Sequence, residues 1–301
     1  MIVATATDGG YAELTGAMLA SLARNAHGDY EKVLVFVDRI SADDKARLLR
    51  SYGRDDIEIV EVTDADLAFL CGMPVKQYMS RITYARLFIP HKVDPADGRL
   101  LYIDCDAVVH GPLSPLRDLP LEGHVLAAVG DDAQRRPKSH ANRNAAIGAP
   151  EGTPYLNAGV LLIDVAEWRR RDITGRARQF SIEHPDLPLM DQDAINGTLR
   201  GDWLKLDECW NMHCRYSKKG DYAEPPEAWR GARIVHYMGP VKPNHSDCNH
   251  PARDIYFEYR RLTPWADAPL HSALRREWKK KLGKLRRFLG RLVPSVPGAR
   301  A

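Results

Sequence analysis

The first sixty residues alternate between short β-branched runs and stretches with helical spacing. IVATAT from Ile2 predicts an interior parallel strand, and Asp8-Gly9-Gly10 ends it in a turn where backbone can approach a ligand. Leu14, Met18, Leu22 and Ala26 recur every four residues, as on one helix face. KVLVFVDR predicts the next strand, SADDKARLLRSYG a helix capped by Ser41, and IEIVEV a third strand. This order predicts an α/β fold with a Rossmann-like, mostly parallel sheet flanked by helices. No GxGxxG follows the first strand, which argues against dinucleotide binding.

Beyond Met73, MPVKQYMSRITYARLFIP predicts a helix carrying Arg81 and Arg86 and leading to the strand LYI at Leu101. HVLAAVGDD predicts a strand ending on Asp131 and Asp132, and the polar RRPKSHANRNAAIGAPEG reads as a long loop able to cover a site. PYLNAGVLLIDVAEWRRRDI predicts a strand entered through Asn157-Ala-Gly, with a helix starting near Asp164. LMDQDAINGTLRGDW predicts a short helix with Asp191 as a candidate cap and Gln192 facing elsewhere. WLKLDECWN resembles a strand and turn, and ARIVHYMG predicts a strand ending at His236.

Composition adds three constraints. With 301 residues, 44% of them apolar, the chain can bury a core of domain size. Five cysteines without a CxxC pair argue against a disulfide framework and a structural zinc site, and fit a reducing, cytosolic setting. The opening MIVATATDGGY lacks the pattern of a signal peptide, and no stretch reaches 18 apolar residues.

The net charge of +3 hides an asymmetry: residues 275–301 hold ten Lys/Arg against one Glu, leaving 33 basic against 39 acidic residues before them. In that tail Trp278, Leu282, Leu285, Leu289 and Leu292 form an apolar stripe between basic faces. The pattern predicts an amphipathic helix for an anionic membrane surface, with packing against the body or a partner protein as the alternative. The mildly acidic body lacks a recognisable nucleic-acid-reading module, so nucleic acid is not an expected partner. Residues 1–273 are therefore read as the catalytic domain and 274–301 as a basic tail. The expected location is cytoplasmic, peripheral on the inner face of the membrane.

The chemistry centres on LYIDCDAVVHGPLSPL. Residues i and i+2 of a strand share a face, so Asp104 and Asp106 can converge just past the strand's end. Two carboxylates at one point favour a divalent cation such as Mg²⁺ or Mn²⁺; the alternative is a strand end capped by solvated acids. His236 is a further candidate ligand for Mn²⁺, with a structural or exposed histidine as the alternative, and Lys242, six residues on, can meet a phosphate as a point charge. Arg86 can bind a pyrophosphate, brace an aspartate or sit as a surface charge.

ITYARLFIP, LYIDCDAVV, YLNAGVLLIDVAEWRR, DQDAING and HYMGPVKPNH follow one another in an order that resembles glycosyltransferase family 8. These are retaining, nucleotide-sugar-dependent enzymes, and the likeness is greatest to the bacterial lipopolysaccharide or lipooligosaccharide galactosyl- and glucosyltransferases. It runs from Ile2 to about Asp247 and implies a GT-A fold binding a UDP-hexose and Mn²⁺, with Mg²⁺ as the alternative. By the same resemblance Asp104, Asp106 and His236 are the metal ligands, and Thr7, Asp8 and Tyr11 contact uracil and ribose. Arg86 and Lys242 lie against the donor, and Cys105 and Gly239 complete the donor-binding set. Asp131, Asn157, Asp191 and Gln192 surround the transferred hexose, Asp191 holding its hydroxyls and Gln192 lying near its anomeric carbon.

The implied reaction moves galactose or glucose to a glycan or glycolipid acceptor, such as lipopolysaccharide. Competing readings are a transferase specific for UDP-glucose on another acceptor, a UDP-sugar hydrolase, and an inactive membrane-associated binding module. Three positions depart from the family pattern: Gly10 in place of asparagine, Tyr78 in place of histidine and Asn244 in place of an aromatic residue. They are expected to alter acceptor recognition.

Overall fold

The computed structural model describes residues 1–68, 72–73, 81–214 and 226–274. The basic segment 275–301, Cys71 and Tyr78 lie outside them. Leu274 is described, and it is exposed. No helix among the described residues is long and apolar enough to cross a membrane.

The strands are β1 (Ile2–Asp8), β2 (Lys32–Asp38), β3 (Ile57–Glu61), β4 (Arg99–Ile103), β5 (Ala107–Val109), β6 (Leu126–Gly130), β7 (Leu156–Asp164), β8 (Leu204–Lys205) and β9 (Ile234–His236). Seven of them form one sheet in the order β3-β2-β1-β4-β7-β6-β8. The expected parallel opening is present: β1 pairs in parallel with β2 and β4, and β2 with β3. Only β7 is reversed, antiparallel to both β4 and β6. β5 and β9 pair separately, with Ala107 opposite His236.

Alternation along β1 explains its burial on both faces. Ile2, Ala4 and Ala6 join one apolar layer and Val3 the other. The helix Ala12–Asn25 covers the second layer through Met18, Leu19 and Leu22. Ser41 caps the helix Ala42–Tyr52 by accepting from Asp44 N–H at 3.0 Å, and Gly53 ends it in the left-handed region at φ 69°.

Three local expectations change. Within its described part, the helix expected from Met73 is a 3₁₀ turn, one α-helical turn and a second 3₁₀ turn that contains Pro90. The expected loop after Asp132 contains the helix Pro137–Ala146, started by a proline at its first position. Its weak apolar periodicity hid it. Asp191 does not cap the helix Met190–Leu199; it lies inside the first turn, and Asp193 accepts from Leu189 N–H at 2.6 Å instead.

Among the polar groups packed behind β9 is His250, at 8% exposure, whose Nδ1 accepts from Ala252 N–H at 3.1 Å. Burial, with the charges of His236 and Lys242 adding to it, pulls its pKa down to about 3. Between that value and about 6.5 the unfolded chain binds a proton that the folded chain refuses. The corresponding stability is full above pH 6.5 and is lost as pH falls. Replacing His250 with Gln should flatten the dependence of unfolding free energy on pH between 6.5 and 5 by up to about 1.4 kcal/mol per pH unit. Urea titrations at several pH values check this.

Candidate active site

The reversal of β7 builds the site. The carboxyl ends of β1, β4 and β6 lie at one edge of the sheet, and an antiparallel β7 brings its amino end to the same edge. Thr7 and Asp8, the Asp104-Cys105-Asp106 turn, Asp131 and Asn157 thereby meet where open α/β sheets place ligands. Asp104 N–H donates to Gly159 O at 2.8 Å, which fastens the aspartate turn to β7.

The two aspartates converge through that turn rather than through strand alternation, because β4 stops at Ile103. β9 adds His236, whose Nε2 is 3.3 Å from Asp106 Oδ1 and 3.7 Å from Asp104 Oδ2. One ligand atom from each of the three falls within 4.8 Å of the others. Gly159 leaves room for this ring: a Cβ there would lie 2.2 Å from His236 Cε1. Two carboxylates and an imidazole form a mixed oxygen and nitrogen donor set that fits Mn²⁺.

Arg86 is 7% exposed and works as a brace. It donates to Asp104 Oδ1 at 2.8 Å, pairs through Nε with Asp191 Oδ2 at 2.8 Å, and also bonds Ala158 O. Its guanidinium lies 4.8 Å over the Tyr102 ring, and Tyr102 O–H donates to Asp104 at 2.9 Å. Burial pushes the Asp191 carboxyl up to about 6 even though Arg86 pulls it down, and the charge of Asp104 adds to the rise.

For Asp106 burial also acts upward, but Lys242 and His236 outweigh it and hold the carboxyl well below the usual range. Lys242 bonds Asp106 and donates to Tyr237 O at 2.9 Å. Burial, reinforced by Asp106 and Asp104, keeps the Cys105 thiol protonated.

A cavity of about 450 Å³ collects most of the expected residues: Thr7, Asp8, Tyr11, Arg86, Asp104, Cys105, Asp106, Asn157, Asp191, Gln192, His236 and Gly239 all line it. Asp131 lines an adjoining cavity of about 630 Å³, which shares Asn157, Gln192 and Gly239 with the first. Lys242 lines neither; it is buried, bonds Asp106 and lies with its ammonium 5.9 Å over the Tyr11 ring. Asn244 also turns inward, donating to the buried Glu13 at 2.9 Å, so this departure does not touch either cavity. Gly10 gives its backbone N–H to Asp8 at 2.9 Å.

The pattern of motifs did not single out Asn211, Tyr102 or Met238. Asn211 is 1% exposed and stands between Asn157 and His236. Gln192 is held at both ends of its amide: its oxygen accepts from Ala158 N–H at 3.0 Å and its nitrogen donates to Asp131 at 3.2 Å.

The family model described as Glycosyl transferase family 8 matches residues 2–248. The chain belongs to glycosyltransferase family 8. Among its relatives is General stress protein A of Bacillus subtilis (strain 168), 31% identical over 280 residues, covering 88% of this chain and 94% of that one. The lipopolysaccharide 1,3-galactosyltransferase of Salmonella typhimurium is 26% identical over 78% of this chain and 70% of its own. The solved structure of the galactosyltransferase LgtC with donor and acceptor sugar analogs matches with a TM-score of 0.70 and 28% identity, over 88% of this chain and 96% of that one. The seven-stranded, mostly parallel sheet flanked by helices is thus the GT-A fold of a family 8 glycosyltransferase.

Proposed function

We propose that this chain is a retaining hexosyltransferase. It moves galactose or glucose from a UDP-sugar to a hydroxyl of a lipopolysaccharide-like surface glycan. The observation that carries this reading is the convergence of Asp104, Asp106 and His236 within one cavity that Thr7, Asp8, Tyr11, Asp191 and Gln192 also line, with β4 lying between β1 and β7 in the sheet. Nucleotide, diphosphate and hexose need three such neighbouring regions. The acceptor specificity of the Salmonella galactosyltransferase and the donor and acceptor analogs bound by LgtC support the substrate class.

Asp104, Asp106 and His236 would hold Mn²⁺, which when bound supplies charge neutralisation at the leaving diphosphate. Lys242 adds fixed positive charge beside Asp106. Asp191, held by Arg86, accepts from hexose hydroxyls. Gln192 is a poor nucleophile: its amide is neutral and its oxygen already accepts from Ala158 N–H. It orients the sugar through Asp131, and the departing β-phosphate takes the proton from the acceptor hydroxyl. Attack then comes on the same face as departure, which retains configuration.

The adjoining cavity, walled by Asp132, Arg136, Ser139, Asn142 and Arg143, opens onto Gln192 and is the entry for the acceptor. A basic amphipathic segment such as 274–301 would hold the enzyme peripherally on the anionic inner face of the cytoplasmic membrane, where a glycolipid acceptor is displayed.

The test is a panel of UDP-sugars with Mn²⁺ and defined glycan acceptors, read by product linkage and anomeric configuration. Transfer with retained configuration is expected. UDP release without a glycan product would leave a hydrolase, and an inverted product would sink the mechanism. Gly159→Ala gives a second check. The added methyl displaces the His236 ring, and the Mn²⁺ concentration for half-maximal transfer should rise at least about tenfold.

A further inference from the structure

A hydrogen-bond chain runs behind Asp104, Asp106 and His236, and chemistry dictates its polarity. It begins at a backbone amide, which can only donate: Gly159 N–H gives to Asn157 Oδ1 at 3.0 Å. The Asn157 nitrogen is thereby turned toward Asp131 Oδ2, 3.2 Å away, and Met238 Sδ, 3.1 Å away. Asn157 Oδ1 also accepts from the Asn211 side chain at 2.9 Å, so the Asn211 nitrogen faces it. The remaining Asn211 atom, Oδ1, lies 3.0 Å from His236 Nδ1. An amide oxygen only accepts, so Nδ1 must carry hydrogen. In the neutral ring Nε2 is then the nitrogen with a lone pair to offer, and it is the one facing Asp104 and Asp106.

Burial makes this polarity hard to escape. Asn157 and Asn211 are 3% and 1% exposed, so solvent cannot readily replace either partner. The carboxylates themselves act against it, because each would accept a hydrogen from Nε2. Asn211 is the group that competes with them for the ring's hydrogen.

We propose that Asn211 is a positioning residue: oriented by Asn157 and Gly159 N–H, it keeps the hydrogen of His236 on Nδ1 and leaves Nε2 free to ligate a divalent cation. The hydrogen placement follows from the bond chain alone, and its consequence for cation binding rests on the metal reading above. The adjacent amide, Ala158 N–H, orients Gln192 by the same logic. Two successive amides of β7 thus set the polarity of both the metal side and the sugar side of the site.

The experiment uses full-length protein labelled with ¹⁵N-histidine, with the His236 signals assigned by their loss in His236→Gln. In metal-free wild type near pH 8, long-range ¹⁵N–¹H spectra should show hydrogen on Nδ1, and Asn211→Leu should show the form with hydrogen on Nε2 and a bare Nδ1. Mn²⁺ affinity, read by the paramagnetic resonance of free Mn²⁺, should fall about 10–100-fold in Asn211→Leu. A bare Nδ1 in wild type, or unchanged Mn²⁺ affinity in a folded Asn211→Leu, would overturn the proposal. If Asn211→Leu does not fold, the wild-type spectrum decides alone. Wild type that binds no Mn²⁺ would sink the metal reading and still leave the spectrum to judge the relay.

Discussion

Asp106→Asn should lower kcat/KM for Mn²⁺-dependent sugar transfer by about 10³-fold or more, equivalent to about 4 kcal/mol of transition-state stabilisation. The substitution keeps the volume of the side chain and removes its charge. That charge faces the His236 imidazole at 3.3 Å and the buried Lys242 ammonium. Asparagine can still accept one hydrogen bond from Lys242, which also keeps Tyr237 O at 2.9 Å, so the fold should survive. What is lost is an anionic ligand and the depressed acidity that keeps it ionised throughout the working pH range. Asp106→Ala goes further and strands Lys242, which is 7% exposed, without an acid, so it should lose stability as well as activity. Initial rates across a Mn²⁺ titration separate the effects, because saturating Mn²⁺ should not rescue Asp106→Asn. Turnover within tenfold of wild type at every Mn²⁺ concentration would remove Asp106 from the ligand set.

The parts of this site that were legible in the sequence are those where spacing alone carries geometry. The apolar runs of β1 to β3 and the helical spacing between them identified the parallel half of the sheet. Asp104 and Asp106 were legible because two acids so near in the chain must end close together, whether on a strand or in a turn. The direction of β7 was not legible: a continuous apolar run such as VLLI is buried on both faces and does not say which way it points. The reversal nevertheless decides the site, because it brings Asn157 and Gly159 to Asp104. The helix Pro137–Ala146 escaped notice since its polar residues give little periodicity to read. Asn211 carried no signal at all; a buried asparagine looks like a turn residue until its two partners, 54 and 25 residues away, are in place. For Lys242 and Asn244 the sequence could not show the side-chain partners. The motif containing them pointed to the donor and acceptor, while the fold turns Lys242 onto Asp106 and Asn244 onto Glu13.

Arg86→Leu should cost about 3–5 kcal/mol of folding stability and eliminate detectable transfer. The guanidinium joins three acceptors from separate parts of the chain: Asp104 after β4, Ala158 O in β7 and Asp191 in the helix Met190–Leu199. Leucine fills the volume and leaves two carboxylates and a carbonyl without their shared donor. Asp191 suffers most, being 4% exposed and already pushed up to about 6 with Arg86 beside it. Without the arginine its pKa rises further, so folded Arg86→Leu takes up a proton that the unfolded chain, near 3.8, does not hold. Folded protein binding more protons than unfolded means that stability falls as pH rises. The gap between wild type and Arg86→Leu should therefore widen from pH 5 to pH 8 in urea titrations. Adding Asp191→Asn to Arg86→Leu removes the stranded charge and should recover part of the loss and most of the extra pH slope, without restoring transfer. Arg86→Lys should recover little, because one ammonium cannot reproduce a planar donor set spread over three acceptors. A pH-independent gap would show that lost packing, rather than the unpaired carboxylates, makes Arg86→Leu unstable.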